Sequence, residues 1–583
     1  MTEGAASHPS GLSRHFADVA GREFHYLRSG SGPVAVLLGA FPWSAGSLAP
    51  LAEALAGEFT AVAMDLPGCG NSHSLGGSPT LADYADAVAE NLGALGIDRC
   101  HLYGTGTGAQ VALEVAVRHA GRIASVVLDQ LPLLEDSQRD EMAERFCPRF
   151  DPSWDGAHIA AIWWWCREQS LFRTWYRPAA ATRLDADEPP PSVLQRRAGD
   201  VLRAGDGYGD GLRAAFAHSA AGSLGRLEVP WTLVTSPADP LTPPGARITA
   251  TGPHGTVVSL PPGPDRSLQL HALFDATGGA DRSLHTPART PDAGTIERGY
   301  LTTPSGQLLV RRAAGSGRPL VMLHSSPTSS ALLEPLMAEL ARGRPVIAFD
   351  TAGNGDSDPP AGTGPFDIGD FAAIVNEALD VLEVCELDLY GTHTGALIAV
   401  EAAIARRGVR RLILEGVTLF DDGDRPDLLP RAELLANYLP TFEPTWDGTH
   451  LTAAWHFRRA FTTYWPWFRR SREGIRWVPM VELAAFHRGF VEVAKRLDTY
   501  HLPYRAALAY PTADRLRLIG VPTLIAAHPD DPLQAHSPEA ADLVPNGRWD
   551  ALPDDIAGTA ARYEEFLAGP SSPSVTVSPV AGQ

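Results

Sequence analysis

The chain has 583 residues, 44% of them apolar and 20% charged, with a formal net charge of −20. The length exceeds one ordinary domain, and the composition suits a folded protein able to bury large cores. The acidic balance argues against nucleic-acid binding, because it repels phosphate backbones, and the five scattered cysteines (Cys69, Cys100, Cys147, Cys166, Cys385), with no C-x-x-C pair, argue against a disulfide framework or a thiolate zinc site.

Residues 1–13 lack the basic start and apolar run of a signal peptide and read as a loose end. No apolar stretch approaches membrane-spanning length, so no membrane partner and a cytoplasmic location are expected. PVAVLLGA and TAVAMDLPG are short apolar runs ending at Asp, Pro or Gly, the pattern of strands buried on both faces of a parallel sheet. LADYADAVAENLGALG follows as a helix, then LYGTGTGA as a strand and sharp turn. Residues 140–215 read as a helical, tryptophan-rich insertion including Trp163, Trp164 and Trp165, for which core or contact surface is the default reading. Residues 276–295 carry Gly, Pro, Ser and Thr without apolar period and read as a linker.

After the linker the order repeats. PLVMLHSS and PVIAFDTAG read as strands, DFAAIVNEALDVLEV as a helix, LYGTHTGA as strand and turn, and 425–510 as a second helical insertion. DLPGCGNS at Asp65 returns as DTAGNGDS at Asp350, LYGTGTGA at Gly104 as LYGTHTGA at Gly391, and PSWDGAHIAAIW at Trp154 as PTWDGTHLTAAW at Trp446. Three motifs in one order at nearly constant spacing indicate a duplicated domain, since solenoid repeats are far shorter. The boundaries expected are 14–275 and 296–569, with 570–583 a loose tail. Strands alternating with helices argue for α/β, with a mostly parallel sheet flanked by helices in each half.

These residues resemble the α/β-hydrolase superfamily, twice over nearly the whole chain. In the second half His324, Ser325, Ser326 and Pro327 match the family's oxyanion loop, Gly391 to Gly395 its nucleophile elbow, and Asp531 in HPDDPL its acid. In the first half Gly39 to Pro42, Gly104 to Gly108 and Asp239 match in turn. The resemblance implies two tandem α/β-hydrolase domains, each with a helical cap, expected to pack as a pseudo-dimer within the chain. It also implies a Ser, Cys or Asp at the centre of the elbow and a His after the last strand. Here the elbow centres are Gly106 and His393, and LPPGPDRS and LPDDIAGT, at the His position, contain none; His271, two turns on, reads as a helix-face residue.

Gly106 has no chemistry to offer, so the first domain reads as inactive. His393 is placed to point into a pocket and to reach Asp531, giving an Asp–His dyad with one ring nitrogen left as a general base. Backbone N–H groups of Thr394 and Ser326 would form the oxyanion hole. His324, His456, Arg458 and Trp465 are the candidate pocket residues, His324 with a structural role behind the loop. Trp446, Asp447 and His450 recur as Trp154, Asp155 and His158, which implies a structural job: an Asp-Gly turn, a helix cap and a packed His. His393, His450, His456 and Asp531 are suitable ligand types, but no H-x-x-x-H or H-E-x-x-H spacing joins them, so neither metal nor cofactor is expected. The function expected is a cofactor-independent enzyme of specialised metabolism that hydrolyses an ester, lactone or similar bond in a small organic molecule. A lyase, cyclase or isomerase on the same fold, or a non-catalytic binding scaffold, are the alternatives.

Overall fold

The computed structural model describes residues 11–236, 255–263, 265–275, 279–285, 294–423, 425–438 and 441–569. The chain forms two compact units, Met1–Arg289 with Glu443–His456, and Thr290–Phe442 with Phe457–Gln583. Asp239, matched to the family acid in the first half, lies outside the described residues.

The first unit is built on an eight-stranded sheet: β1 (Ser13–Val19), β2 (Arg22–Ser29), β3 (Val34–Leu38), β4 (Thr60–Met64), β5 (Cys100–Thr105), β6 (Ile123–Asp129), β7 (Trp231–Thr235) and β8 (Gly255–Ser259). Their order is β1-β2-β4-β3-β5-β6-β7-β8. β1–β2 and β2–β4 are antiparallel and the other pairs parallel. The second unit repeats this order with β9 (Ile296–Thr303), β10 (Gly306–Ala313), β11 (Leu320–Leu323), β12 (Val346–Phe349), β13 (Leu387–Thr392), β14 (Val409–Glu415), β17 (Thr523–Ala527) and β18 (Gly547–Ala551). A two-residue ribbon, β15 (Phe420–Asp421) with β16 (Leu429–Pro430), stands apart from that sheet. β3, β4, β11, β12 and β17 are buried at every position, as strands covered by helices on both faces must be.

Helices Leu81–Ala94 and Ile368–Val381 each start at a capping box, Thr80 with Asp83 and Asp367 with Asp370, which satisfies N–H groups that the first helical turn leaves open. The aspartate opening each D-x-x-G-x-G-x-S motif is an internal anchor. Asp65 accepts from the Asn71 N–H (2.8 Å), and fully buried Asp350 from the Ser330 and Asp356 N–H groups (both 2.9 Å) and from Arg311. Within the span read as a linker, Asp281 accepts from the Asp98 and Arg99 N–H groups (2.6 and 2.9 Å) and its carbonyl from Val34 N–H (2.7 Å), which ties it to the first sheet. His271 ends helix Arg266–His271, edge-on to Phe59.

Helices Asp136–Arg145, Ala157–Leu171, Pro191–Ala204 and Asp210–Ala217 occupy the first insertion, and Arg431–Asn437, Thr449–Thr463, Leu483–Ala494 and His501–Ala509 the second. Trp163 and Trp165 are buried, whereas Trp164 is exposed. The recurring W-D-G-x-H motifs both fall in the first unit, where each makes the same bonds. Asp155 and Asp447 accept from the N–H two residues on (3.0 and 3.2 Å). His158 and His450 take the Ser153 and Thr445 N–H groups on Nδ1 (3.2 and 3.1 Å). Trp163 Nε1 donates to the Trp446 carbonyl and Trp455 Nε1 to that of Trp154, both 3.1 Å, with His450 edge-on to Trp163 and His158 edge-on to Trp455. Among the described residues no helix is long and apolar enough to cross a membrane.

Candidate active site

The second unit holds a cavity of about 400 Å³ between the C-terminal ends of its strands and the helical insertion. Crevices at strand ends are where open parallel sheets bind ligands. His393 projects into it from the turn joining β13 to helix Thr394–Ala405. Two glycines make that turn possible: a Cβ at Gly391 would lie 2.2 Å from the Gly395 carbonyl, and one at Gly395 2.3 Å from the Leu323 carbonyl. His393 itself has φ +50, ψ −113, a conformation that costs a non-glycine residue about 1–3 kcal/mol and is found where a side chain must be thrust out of a scaffold. Gly106 occupies the same conformation in the first unit (φ +56, ψ −127).

His393 Nε2 lies 3.2 Å from Asp531 Oδ2, and Nδ1 lies 2.9 Å from the Thr392 hydroxyl. Both nitrogens therefore have partners, whereas the sequence reading reserved one for substrate; the turn that exposes the ring also sets the preceding hydroxyl beside it. The His393 side chain keeps 39% of its surface accessible, against 8% for Asp531. Burial opposes charge on the ring, but the Asp531 carboxylate, its hydrogen bond and nearby Glu415 outweigh it and raise the His393 pKa above the ordinary 6.5. Burial likewise opposes charge on Asp531. His393, the Leu533 N–H (2.8 Å) and Arg476 nevertheless hold its pKa below the ordinary 3.8.

Ser326 and Thr394 line the cavity beside the dyad. Among the described residues neither N–H donates to any acceptor. The first unit differs here. Phe41, which replaces Ser326, donates its N–H to the Thr107 hydroxyl (2.9 Å), and its ring is buried edge-on to Tyr84. The N–H that would hold an oxyanion is thus already consumed.

Arg458 and Trp465 also line the cavity. His324 and His456 do not. His324 is buried behind the loop, where Nε2 accepts from the Thr351 N–H (2.9 Å) and Nδ1–H donates to the Ser325 carbonyl (2.8 Å). Burial lowers its pKa, so it is a neutral brace. His456 is exposed, one position from buried Trp455 and Phe457 on the same helix.

Sequence reasoning missed Glu415, Gly416, Arg476 and His528. Glu415 ends β14, lines the cavity and accepts from the Tyr390 and Tyr563 hydroxyls (2.7 and 2.6 Å). Asp129 holds the same register in the first sheet, paired with Arg266, so comparing the repeats strand by strand would have singled Glu415 out. Gly416 has φ +63, and a Cβ there would stand 2.8 Å from Asp531 Oδ2 and 2.9 Å from His393 Nε2. Arg476 donates to the Phe461 and Asp530 carbonyls (2.8 and 2.9 Å) and, like His528, lies in a segment with no motif to mark it.

Comparison with known proteins places this geometry. The family model described as "Alpha/beta hydrolase family" matches residues 31–294, and the one described as "alpha/beta hydrolase fold" matches 318–549. Fluoroacetate dehalogenase from Burkholderia sp is 34% identical over 128 residues, 21% of this chain and 42% of the relative. 2-hydroxy-6-oxo-2,4-heptadienoate hydrolase from Pseudomonas putida is 36% identical over 106 residues, 18% of this chain and 38% of the relative. Haloalkane dehalogenase from Mycobacterium marinum is 26% identical over 239 residues, 40% of this chain and 65% of the relative. In each case the match spans less than two thirds of the relative. Among solved structures, the enol-lactonase from Burkholderia xenovorans is similar at 19% identity and a TM-score of 0.35, covering 46% of this chain and 100% of that one. The two matched segments, each with its own eight-stranded sheet and elbow, make the chain a member of the α/β-hydrolase family carrying two such domains in tandem.

Proposed function

We propose that the second domain hydrolyses an ester, lactone or related acyl bond of a small organic molecule, with His393 as general base. The observation that carries this reading is the His393–Asp531 pair, 3.2 Å apart in a cavity that also presents the uncommitted Ser326 and Thr394 N–H groups. Relatives described as hydrolases support it at the level of reaction class.

Asp531 can only accept, so Nε2 carries the hydrogen donated to it, and Nδ1, beside the Thr392 hydroxyl, is the basic nitrogen. Water beside it attacks the acyl carbon while its proton passes to Nδ1. The imidazolium so formed is held by Asp531. The carbonyl oxygen becomes an oxyanion that accepts from the Ser326 and Thr394 N–H groups, donors fixed in place before reaction. Collapse expels the alcohol oxygen, which takes the proton back from Nδ1, leaving acid and alcohol. No covalent acyl-enzyme is required, consistent with an imidazole at the elbow.

A second reading has its own support: a raised-pKa base facing oxyanion donors is equally suited to removing a proton beside a carbonyl, as in an isomerase, cyclase or lyase. Turnover in ¹⁸O-water separates the two. Hydrolysis places one solvent oxygen in the product acid; label-free product from a consumed substrate would reject it. An unreactive wild type across esters, lactones and epoxides would point to a binding role.

A further inference from the structure

Arg458 lies on helix Thr449–Thr463 and lines the cavity beside Trp465 and Trp467. It makes no hydrogen bond or ion pair with any described residue, and its Nε is buried without an acceptor. A buried cation or donor left unsatisfied is costly, and native proteins keep few of them. A guanidinium that lines a cavity without a partner calls for one that the cavity can hold.

The other charges around the cavity are accounted for. Asp531 faces His393 and Arg476, Glu415 is held by two tyrosines, and Arg476 is bound by two carbonyls. Among the described residues no carboxylate forms an ion pair with Arg458, and the ionisable group it feels is the Tyr504 phenol. The walls here are apolar: Phe461 stacks on Trp467 at 4.8 Å, and Tyr504 packs against both rings at 6.3 and 5.8 Å.

From this arrangement we infer that the cavity takes a substrate with a carboxylate on an apolar body, the carboxylate bound by Arg458. The guanidinium presents parallel donors that match a carboxylate's two oxygens. The inference rests on the proposed reaction only for calling the bound molecule a substrate; the binding preference stands without it.

The test is equilibrium titration, followed by tryptophan fluorescence and calorimetry, of the full chain with benzoate, 3-phenylpropanoate and hexanoate against their neutral amides. The wild type should bind at least one acid about 10-fold or more tighter than its amide, the scale of a charged hydrogen bond. Arg458→Met should abolish that preference, Arg458→Lys should keep part of it, and His393→Ala should retain it. No acid in the series binding tighter than its amide would overturn the inference with no variant needed, as would an undiminished preference in folded Arg458→Met. Preference without turnover would keep this inference and reject hydrolysis; turnover of neutral esters without preference would do the reverse.

Discussion

Gly416→Ala probes the dyad from the side, without touching either member. At φ +63 the alanine backbone costs about 1–2 kcal/mol relative to glycine, which lowers the melting temperature of a domain of this size by about 2–8 °C. Its methyl would stand 2.8 Å from Asp531 Oδ2 and 2.9 Å from His393 Nε2, closer than such contacts are tolerated, so the pair must part. Widening their 3.2 Å separation by about 1 Å at an effective dielectric near 20 weakens the attraction by about 1 kcal/mol. Solvent reaching a ring 39% accessible cuts that to about half, and the His393 pKa falls back toward its ordinary value. Misplacing a catalytic group by this much costs up to about 100-fold in rate. The assays are thermal unfolding, kcat/KM on a hydrolysed ester, and its pH profile, whose acid limb should move to lower pH. A folded Gly416→Ala protein with wild-type kcat/KM and an unmoved limb would refute the reasoning.

Asp531→Asn removes the carboxylate that lifts the His393 pKa, so the ring, still opposed by burial, should titrate at lower pH than in the wild type; NMR of the His393 Cε1–H measures it. The pair also predicts a stability window. Asp531, with its pKa lowered, contributes fully above 3.8 and loses that contribution as pH falls through its folded pKa; His393, with its pKa raised, contributes fully below 6.5 and loses it as pH rises through its folded pKa. The wild-type advantage over His393→Ala in denaturant unfolding should therefore peak between these values. Thr107→Val deprives the Phe41 N–H of its acceptor, and should destabilise the first domain by about 1–3 kcal/mol while leaving turnover unchanged. Asp350→Ala strips two N–H groups and buried Arg311 of an acceptor, and should cost the second domain roughly 3 kcal/mol or more in thermal unfolding.

The parts legible in sequence are those that a local backbone demand writes into a short string. The elbow needs glycines two residues either side of His393, and the D-x-x-G-x-G-x-S loop needs its buried aspartate, so both left marks. Asp531 was found because it follows a buried strand at a recognisable place. Glu415 was not, because its position depends on which strands lie side by side, and β14 pairs with β13 across residues distant in sequence. Thr107 and Thr394 look equivalent in the two repeats. They differ in role only because Phe41 presents its N–H to the first, while Ser326 makes no such bond among the described residues. The insertions were the least legible: helical period marks Arg458 and His456 alike as helix residues, and packing alone decided that Arg458 lines the cavity and His456 faces solvent.

The most direct test of the account is turnover of activated esters and lactones by the wild type and by His393→Gln. The dyad predicts that a robust wild-type rate falls by about 100- to 10,000-fold in the variant, the share that a positioned general base supplies. A folded variant that turns over at the wild-type rate would contradict the account and remove His393 from the chemistry.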